Sequence, residues 1–206
     1  MASGETRGPD DTGTQGEAYT ARLVEREGAW WKRVLNVQAP YQWNLRRYDL
    51  GTTLDVGCGL GRNLVSLPAG SVGVDHNAQS VQVARERGFT AATVEEFHAG
   101  PLARQEGYDA LLFAHIVEHV PEEAAEGLVN EYLPYLRRGG KVLFICPQER
   151  GYASDPTHVA WTTGDDLQSL ARTVGLEPVS NKSFPFPRAV GKVFLYNEFN
   201  VLATKP

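Results

Sequence analysis

An acid set in a short apolar run and followed by glycine at alternate positions limits this chain more than anything else in it. The stretch is Thr53-Leu54-Asp55-Val56-Gly57-Cys58-Gly59-Leu60-Gly61-Arg62-Asn63. Its physical reading is a buried parallel strand, a tight turn that glycines permit, and the start of a helix. Missing side chains let a ligand lie against the backbone, with free N–H groups pointing at it. Doubly wound sheets hold nucleotide-like cofactors with such units, at the carboxyl ends of their strands. A dinucleotide fingerprint, G-x-G-x-x-G, would need glycine where Arg62 stands, so a dehydrogenase is disfavoured. The second strand-like run, Ser71-Val72-Gly73-Val74-Asp75, ends in an acid placed to take the hydroxyls of a ribose.

The pattern D-x-G-x-G-x-G resembles the first motif of the class I S-adenosylmethionine-dependent methyltransferases. The similarity continues through Val74-Asp75-His76-Asn77 and through Tyr108–Phe113 leading into Glu118-His119-Val120. It extends to Leu136-Arg137-Arg138-Gly139-Gly140-Lys141-Val142-Leu143, in the family's order. This resemblance implies an α/β fold: a Rossmann-like, doubly wound, mostly parallel seven-stranded sheet of order 3-2-1-4-5-7-6. Strand 7 would run antiparallel, and a helical N-terminal cap would precede the sheet. Residues 1–16, polar and without an apolar anchor, read as a disordered tail; the resemblance makes 17–50 the cap and 51–206 the methyltransferase domain. The implied cofactor is S-adenosylmethionine. Asp55, Gly57, Gly59 and Gly61 would hold its methionine end, with Cys58 and Asn63 in the same loop. Asp75 would take the ribose, His76 would wall the adenosine, and Glu95 or Glu96, beside Phe97, would reach adenine. The backbone near His115, at the end of the central strand, would also approach the donor.

Composition narrows the partners. A chain of 206 residues with 42% apolar content suits one ordinary domain. A net charge of −5 argues against a broad nucleic-acid footprint, because phosphate binding wants a basic face. Two cysteines, Cys58 and Cys146, make no disulfide framework. No apolar run approaches a membrane span or a signal-peptide core, so a cytoplasmic monomer or homodimer acting on a small molecule is expected.

Along the chain, helices are expected at Leu60–Leu67, at Ala78–Arg87, and after Pro121 with a break before Pro134. Strands are expected at Phe89–Val94, Tyr108–Ala114, Lys141–Cys146, Leu176–Val179 and Val193–Ala203. Arg137, Arg138 and Gly139 read as a helix terminus, and Thr163 with Asp166 reads as a capping box. The aromatic residues Trp31, Tyr41 and Trp43 either pack the cap or line an acceptor pocket. Gln148 and Tyr152, just past the fifth strand, border the same region.

Five histidines carry the remaining chemistry. His115, Glu118 and His119 form H-x-x-E-H, and His158 follows in Asp155-Pro156-Thr157-His158-Val159-Ala160-Trp161. If the segment after His115 coils as a helix, residues 115, 118 and 119 share a face. Imidazole and carboxylate together suit a divalent transition metal. The set resembles the metal site of small-RNA 2′-O-methyltransferases, E-x-x-E-H with a later histidine, though His115 replaces the first acid. The reading preferred over a metal is a hydrogen-bonded network, or His115 as a lone base with His119 beside it. Methylation of a small organic acceptor, at oxygen, is therefore expected. The alternatives are a metal-assisted RNA 2′-O-methyltransferase and a non-catalytic cofactor-binding domain.

Overall fold

The computed structural model describes residues 38–206. The expected tail, the first part of the cap and Trp31 lie outside the described residues. Of the cap, the described part includes helix α1 (Ala39–Arg46), with Pro40 in its first turn, where a missing N–H leaves nothing unpaired.

Seven strands make one sheet: β1 (Thr53–Val56), β2 (Val72–Asp75), β3 (Ala91–Thr93), β4 (Tyr108–Ala114), β5 (Leu136–Pro147), β6 (Glu177–Phe184) and β7 (Glu198–Thr204). Their order is β3-β2-β1-β4-β5-β7-β6, as expected. The first five run parallel, and β7 runs antiparallel to both β5 and β6. β1 and β2 are buried at every residue and β4 at all but one, as a parallel sheet covered on both faces requires.

The helices begin where capping chemistry puts them. Asn77 accepts the N–H groups of Gln79 and Ser80 at the head of α2 (Ala78–Glu86). Thr93 and Glu96 form a reciprocal capping box at the head of α3 (Val94–Ala99). The expected box of Thr163 and Asp166 opens α6 (Gly164–Thr173). α4 (Glu122–Tyr132) stops before Pro134 and is followed by a single 3₁₀ turn, Leu133–Tyr135. A four-residue helix, α5 (Glu149–Tyr152), follows β5.

Four local expectations are corrected. The first crossover holds only a 3₁₀ turn, Leu64–Ser66, because Gly61 at φ +81° cannot continue a right-handed helix. Arg137, Arg138 and Gly139 do not end a helix; they form an irregular stretch inside β5, where the register slips between Tyr108 and Ala110. There Arg137 donates to the Asp109 carboxylate at 2.7 Å instead of to a helix end. β6 runs on past Val179 to Phe184, paired with β7 along its length. β7 starts at Glu198 rather than Val193, because the Asn197 amide ties the preceding segment to Ser183 and to the Phe186 backbone.

Beneath the sheet, Phe97 is wholly buried, with the rings of Tyr135 and Tyr132 at 5.0 and 6.0 Å. Expected beside the donor, it is instead a core residue. Phe97→Ala should therefore lower the unfolding free energy by about 3–5 kcal/mol, read from urea denaturation.

Candidate functional site

The loop after β1 is shaped by three left-handed glycines, Gly57, Gly59 and Gly61, at φ +76°, +52° and +81°. A Cβ on Gly57 would come within 2.7 Å of Ile116, so a side chain there would push the loop away from the end of β4. A Cβ on Gly59 would meet nothing within 4 Å; that position opens into free space. The loop is pinned from β2. The Asp75 carboxylate accepts the Gly59 N–H at 2.8 Å through one oxygen and the Asn77 N–H at 2.8 Å through the other. His76, beside it, keeps a largely exposed ring 3.5 Å from the same carboxylate.

Asp55 lies under this loop with no exposure, and neither carboxylate oxygen has a hydrogen-bond partner among the described residues. Burial pushes its pKa up to about 7, with the nearby Asn63 side chain and the Arg62 charge offsetting part of the rise. An orphaned buried carboxylate below an open glycine suits a ligand that is cationic at one end.

Next to this crevice is a cavity of about 90 Å³. Tyr41, Arg62, Asn63, His115, Tyr196 and Glu198 are among its walls. Such a space admits the reacting end of a molecule and not a drug-sized ligand whole, which needs ~300 Å³ or more. His115 is a non-glycine residue at φ +59°, a strained conformation that clusters at functional sites. Its Nδ1 meets Glu118 at 3.2 Å and its Nε2 meets Glu198 at 3.0 Å. Burial alone would push its pKa down, but the two carboxylates outweigh it and raise it to about 9. His115 is thus an imidazolium held between two acids.

Likeness to known proteins agrees with this geometry. Residues 54–144 match the family model described as "Methyltransferase domain". Residues 54–144 carry a methyltransferase domain, on the sheet order expected of the class I S-adenosylmethionine-dependent fold. The chain is similar in structure to an S-adenosylmethionine-dependent methyltransferase from Archaeoglobus fulgidus, at TM-score 0.65 and 18% identity over 85% of this chain and 98% of that one. A possible histamine N-methyltransferase from Thermotoga maritima gives 0.64 and 18%, over 92% and 100%. Magnesium protoporphyrin IX methyltransferase from Synechocystis, solved with bound S-adenosylhomocysteine, gives 0.59 and 13%, over 91% and 99%. At these identities the likeness speaks for the fold. No curated protein matches in sequence. The resemblance to small-RNA methyltransferases gains no support from these comparisons.

The methyltransferase fold brings some expected residues together and disperses others. Asp55, the glycines, Cys58, Asn63, Asp75 and His76 gather at the carboxyl ends of β1 and β2. Cys58 packs under the loop, and burial holds its thiol far above the ordinary range, so it is inert. Glu96 is spent on the Thr93 N–H and Arg85, which leaves the exposed Glu95 as the uncommitted acid of that pair. Tyr41 reaches the cavity and donates to the Tyr196 carbonyl at 2.7 Å. Trp43 does not line it; its exposed ring lies under Arg47. Gln148, expected to border the acceptor, is fully buried and saturated by Ser183, Asn197 and the Glu198 carbonyl.

His119, His158 and Tyr152 assemble on the far side of Glu118, where Tyr152 stacks on His158. His115 does not share a helical face with them, because only Val117–His119 form a 3₁₀ turn. Sequence reasoning missed Arg62 and Glu198 at the cavity. Glu198 had a signal: it is the one acid in the apolar run Val193–Ala203.

Asp55 has a sign-definite consequence for pH. Its folded pKa, about 7, lies above its ordinary value of 3.8, so its stabilising contribution is full below pH 4 and lost as pH rises through 7. The stability of the unliganded protein relative to Asp55→Asn should fall over that range by a few kcal/mol, at about 1.4 kcal/mol for each pH unit between the two values. Urea titrations of both proteins at several pH values would check it.

Proposed function

We propose that this protein transfers a methyl group from S-adenosylmethionine to an oxygen of a small organic acceptor whose reacting end enters the cavity beside His115. One observation carries the reading: the cavity next to the glycine loop contains a carboxylate, Glu198, braced by the His115 ring at 3.0 Å. The cofactor supplies a methyl group on a sulfonium, transferable in line to a nucleophile. Everything else is the work of the chain's own groups.

Asp55 supports binding of the donor's cationic end, since a positive charge there would satisfy the carboxylate that folding leaves unpaired. Gly57, Gly59 and Gly61 allow close approach to the backbone, and Asp75 has acceptor capacity beyond its two backbone bonds for ribose hydroxyls. Glu95 is the better placed of the two acids to contact the base.

For the acceptor, the histidine favours a role other than free base. Both ring nitrogens of His115 are engaged by carboxylates, so it has no lone pair to offer. Glu198 is then the group that takes the proton of an entering hydroxyl, and His115 holds it in place. Tyr41 and Tyr196 give the cavity aromatic walls suited to an organic acceptor. Holding donor and acceptor in contact can itself supply ~7–11 kcal/mol of the barrier.

Two measurements test this. Asp75→Ala should weaken S-adenosylmethionine binding at least tenfold, about 1.4 kcal/mol, by calorimetry; an unchanged dissociation constant would mean the ribose is misplaced. Glu198→Gln should leave donor affinity within a factor of about two while slowing turnover of a hydroxyl acceptor by ~10²-fold or more. Equal rates would remove Glu198 from the chemistry.

A further inference from the structure

Beyond the cavity, Glu118, His119 and His158 form a cluster that methyl transfer does not use. One ligand-type atom from each lies within 4.8 Å of the others. Glu118 is fully buried, while both histidines are partly exposed. Their hydrogen bonds fix which ring nitrogen carries the proton. His158 Nδ1 lies 2.7 Å from the Tyr152 carbonyl, and His119 Nδ1 lies 3.2 Å from the Thr157 carbonyl. A carbonyl only accepts, so each Nδ1 carries the hydrogen, and in the neutral ring each Nε2 keeps its lone pair. The Thr157 hydroxyl, 3.3 Å from His119 Nδ1, gives its own proton to Asp155 and so agrees with that tautomer.

A cluster held only by its own hydrogen bonds would pair these nitrogens with Glu118. It does not: Glu118 accepts from His115 and Cys146, and neither His119 nor His158 bonds to it. Two imidazoles with their outer nitrogen tied to backbone carbonyls, next to a carboxylate with spare lone pairs, are the arrangement metal-ligating histidines adopt. The Tyr152 ring, stacked on His158 at 5.2 Å with Trp161 edge-on behind it, holds that imidazole in plane.

We propose that Glu118, His119 and His158 bind one divalent transition-metal ion of the zinc class, with at least one coordination position left to water. Two neutral imidazoles and one carboxylate form the donor set such ions take at open sites. His115 is not a ligand; it braces Glu118 from behind. The present spread exceeds the ~3.3 Å ligand separation of a tetrahedral site with bonds of ~2.0–2.1 Å, so binding draws the three side chains inward.

The test uses Co²⁺ as a spectroscopic probe on the full chain, stripped with a chelator and dialysed. A visible d–d absorption saturating at about one equivalent, and displaced by Zn²⁺, is expected. His119→Ala and His158→Gln should each weaken Co²⁺ binding at least tenfold, about 1.4 kcal/mol, and H119A/H158A should abolish the band with the circular dichroism of the native fold retained. No saturable band in the wild-type protein overturns the site, as does a band that survives in either the folded double variant or His158→Gln at full strength. Asp75→Ala should bind Co²⁺ normally. A protein that takes the metal but not the methyl donor would therefore sink the preceding function and leave this site standing.

Discussion

The two backbone hydrogen bonds accepted by Asp75 hold the functional end of this molecule together. One carboxylate at the tip of β2 receives the Gly59 N–H from the loop after β1 and the Asn77 N–H at the head of α2. Gly59 can present its N–H that way only because its φ is positive, and the loop can lie so near β4 only because Gly57 has no Cβ to strike Ile116. Each bond to a charged acceptor contributes about 1.5–3 kcal/mol. Together they tie the loop after β1 to the tip of β2 and the head of α2. The same residue is thus a structural clasp first, and the proposed ribose contact would draw only on the lone pairs left over.

An opposite tension sits one strand away. Asp55 is buried and unpartnered, and its carboxyl titrates near neutrality because water has been removed from it. Nothing in packing rewards that arrangement. A buried orphan acid costs stability unless something cationic arrives, so the apoprotein carries at this point a deficit that binding can relieve. The crevice is rigid where Asp75 grips it and unsatisfied where Asp55 underlies it, which suits a site made for a charged ligand.

The fold was legible because its signals are local and redundant. The acid-and-glycine loop, the apolar run of β4 and the Thr163–Asp166 box each specify their own geometry, and they agree with one another. Where reading failed, a long-range partner had overruled local preference. Arg137 looked like a helix end until Asp109, far away in sequence, claimed it for an irregular strand. Gln148 looked like a pocket residue, yet the Asn197 amide and Ser183 saturate it. Phe97 followed the expected adenine acids but turned inward, because the rings of Tyr132 and Tyr135, distant in sequence, pack against it. Such pairings are invisible to spacing.

His115 explains why the histidine motif misled as a motif and still marks chemistry. Read as a helical turn, H-x-x-E-H puts three ligands on one face. The left-handed backbone at His115 breaks that face and turns the ring toward β7, where Glu198 waits. The result is a chain of contacts, from Glu198 through the His115 ring to Glu118, with the His119–His158 pair beyond it. Glu118 accepts from His115 on one side and from the Cys146 thiol on the other, so one ring joins this buried carboxylate to the cavity. Any change in the charge borne by Glu118 must then be felt at Glu198 through a single imidazole. That coupling needs no movement of the backbone, only a ring whose two nitrogens are held by different acids.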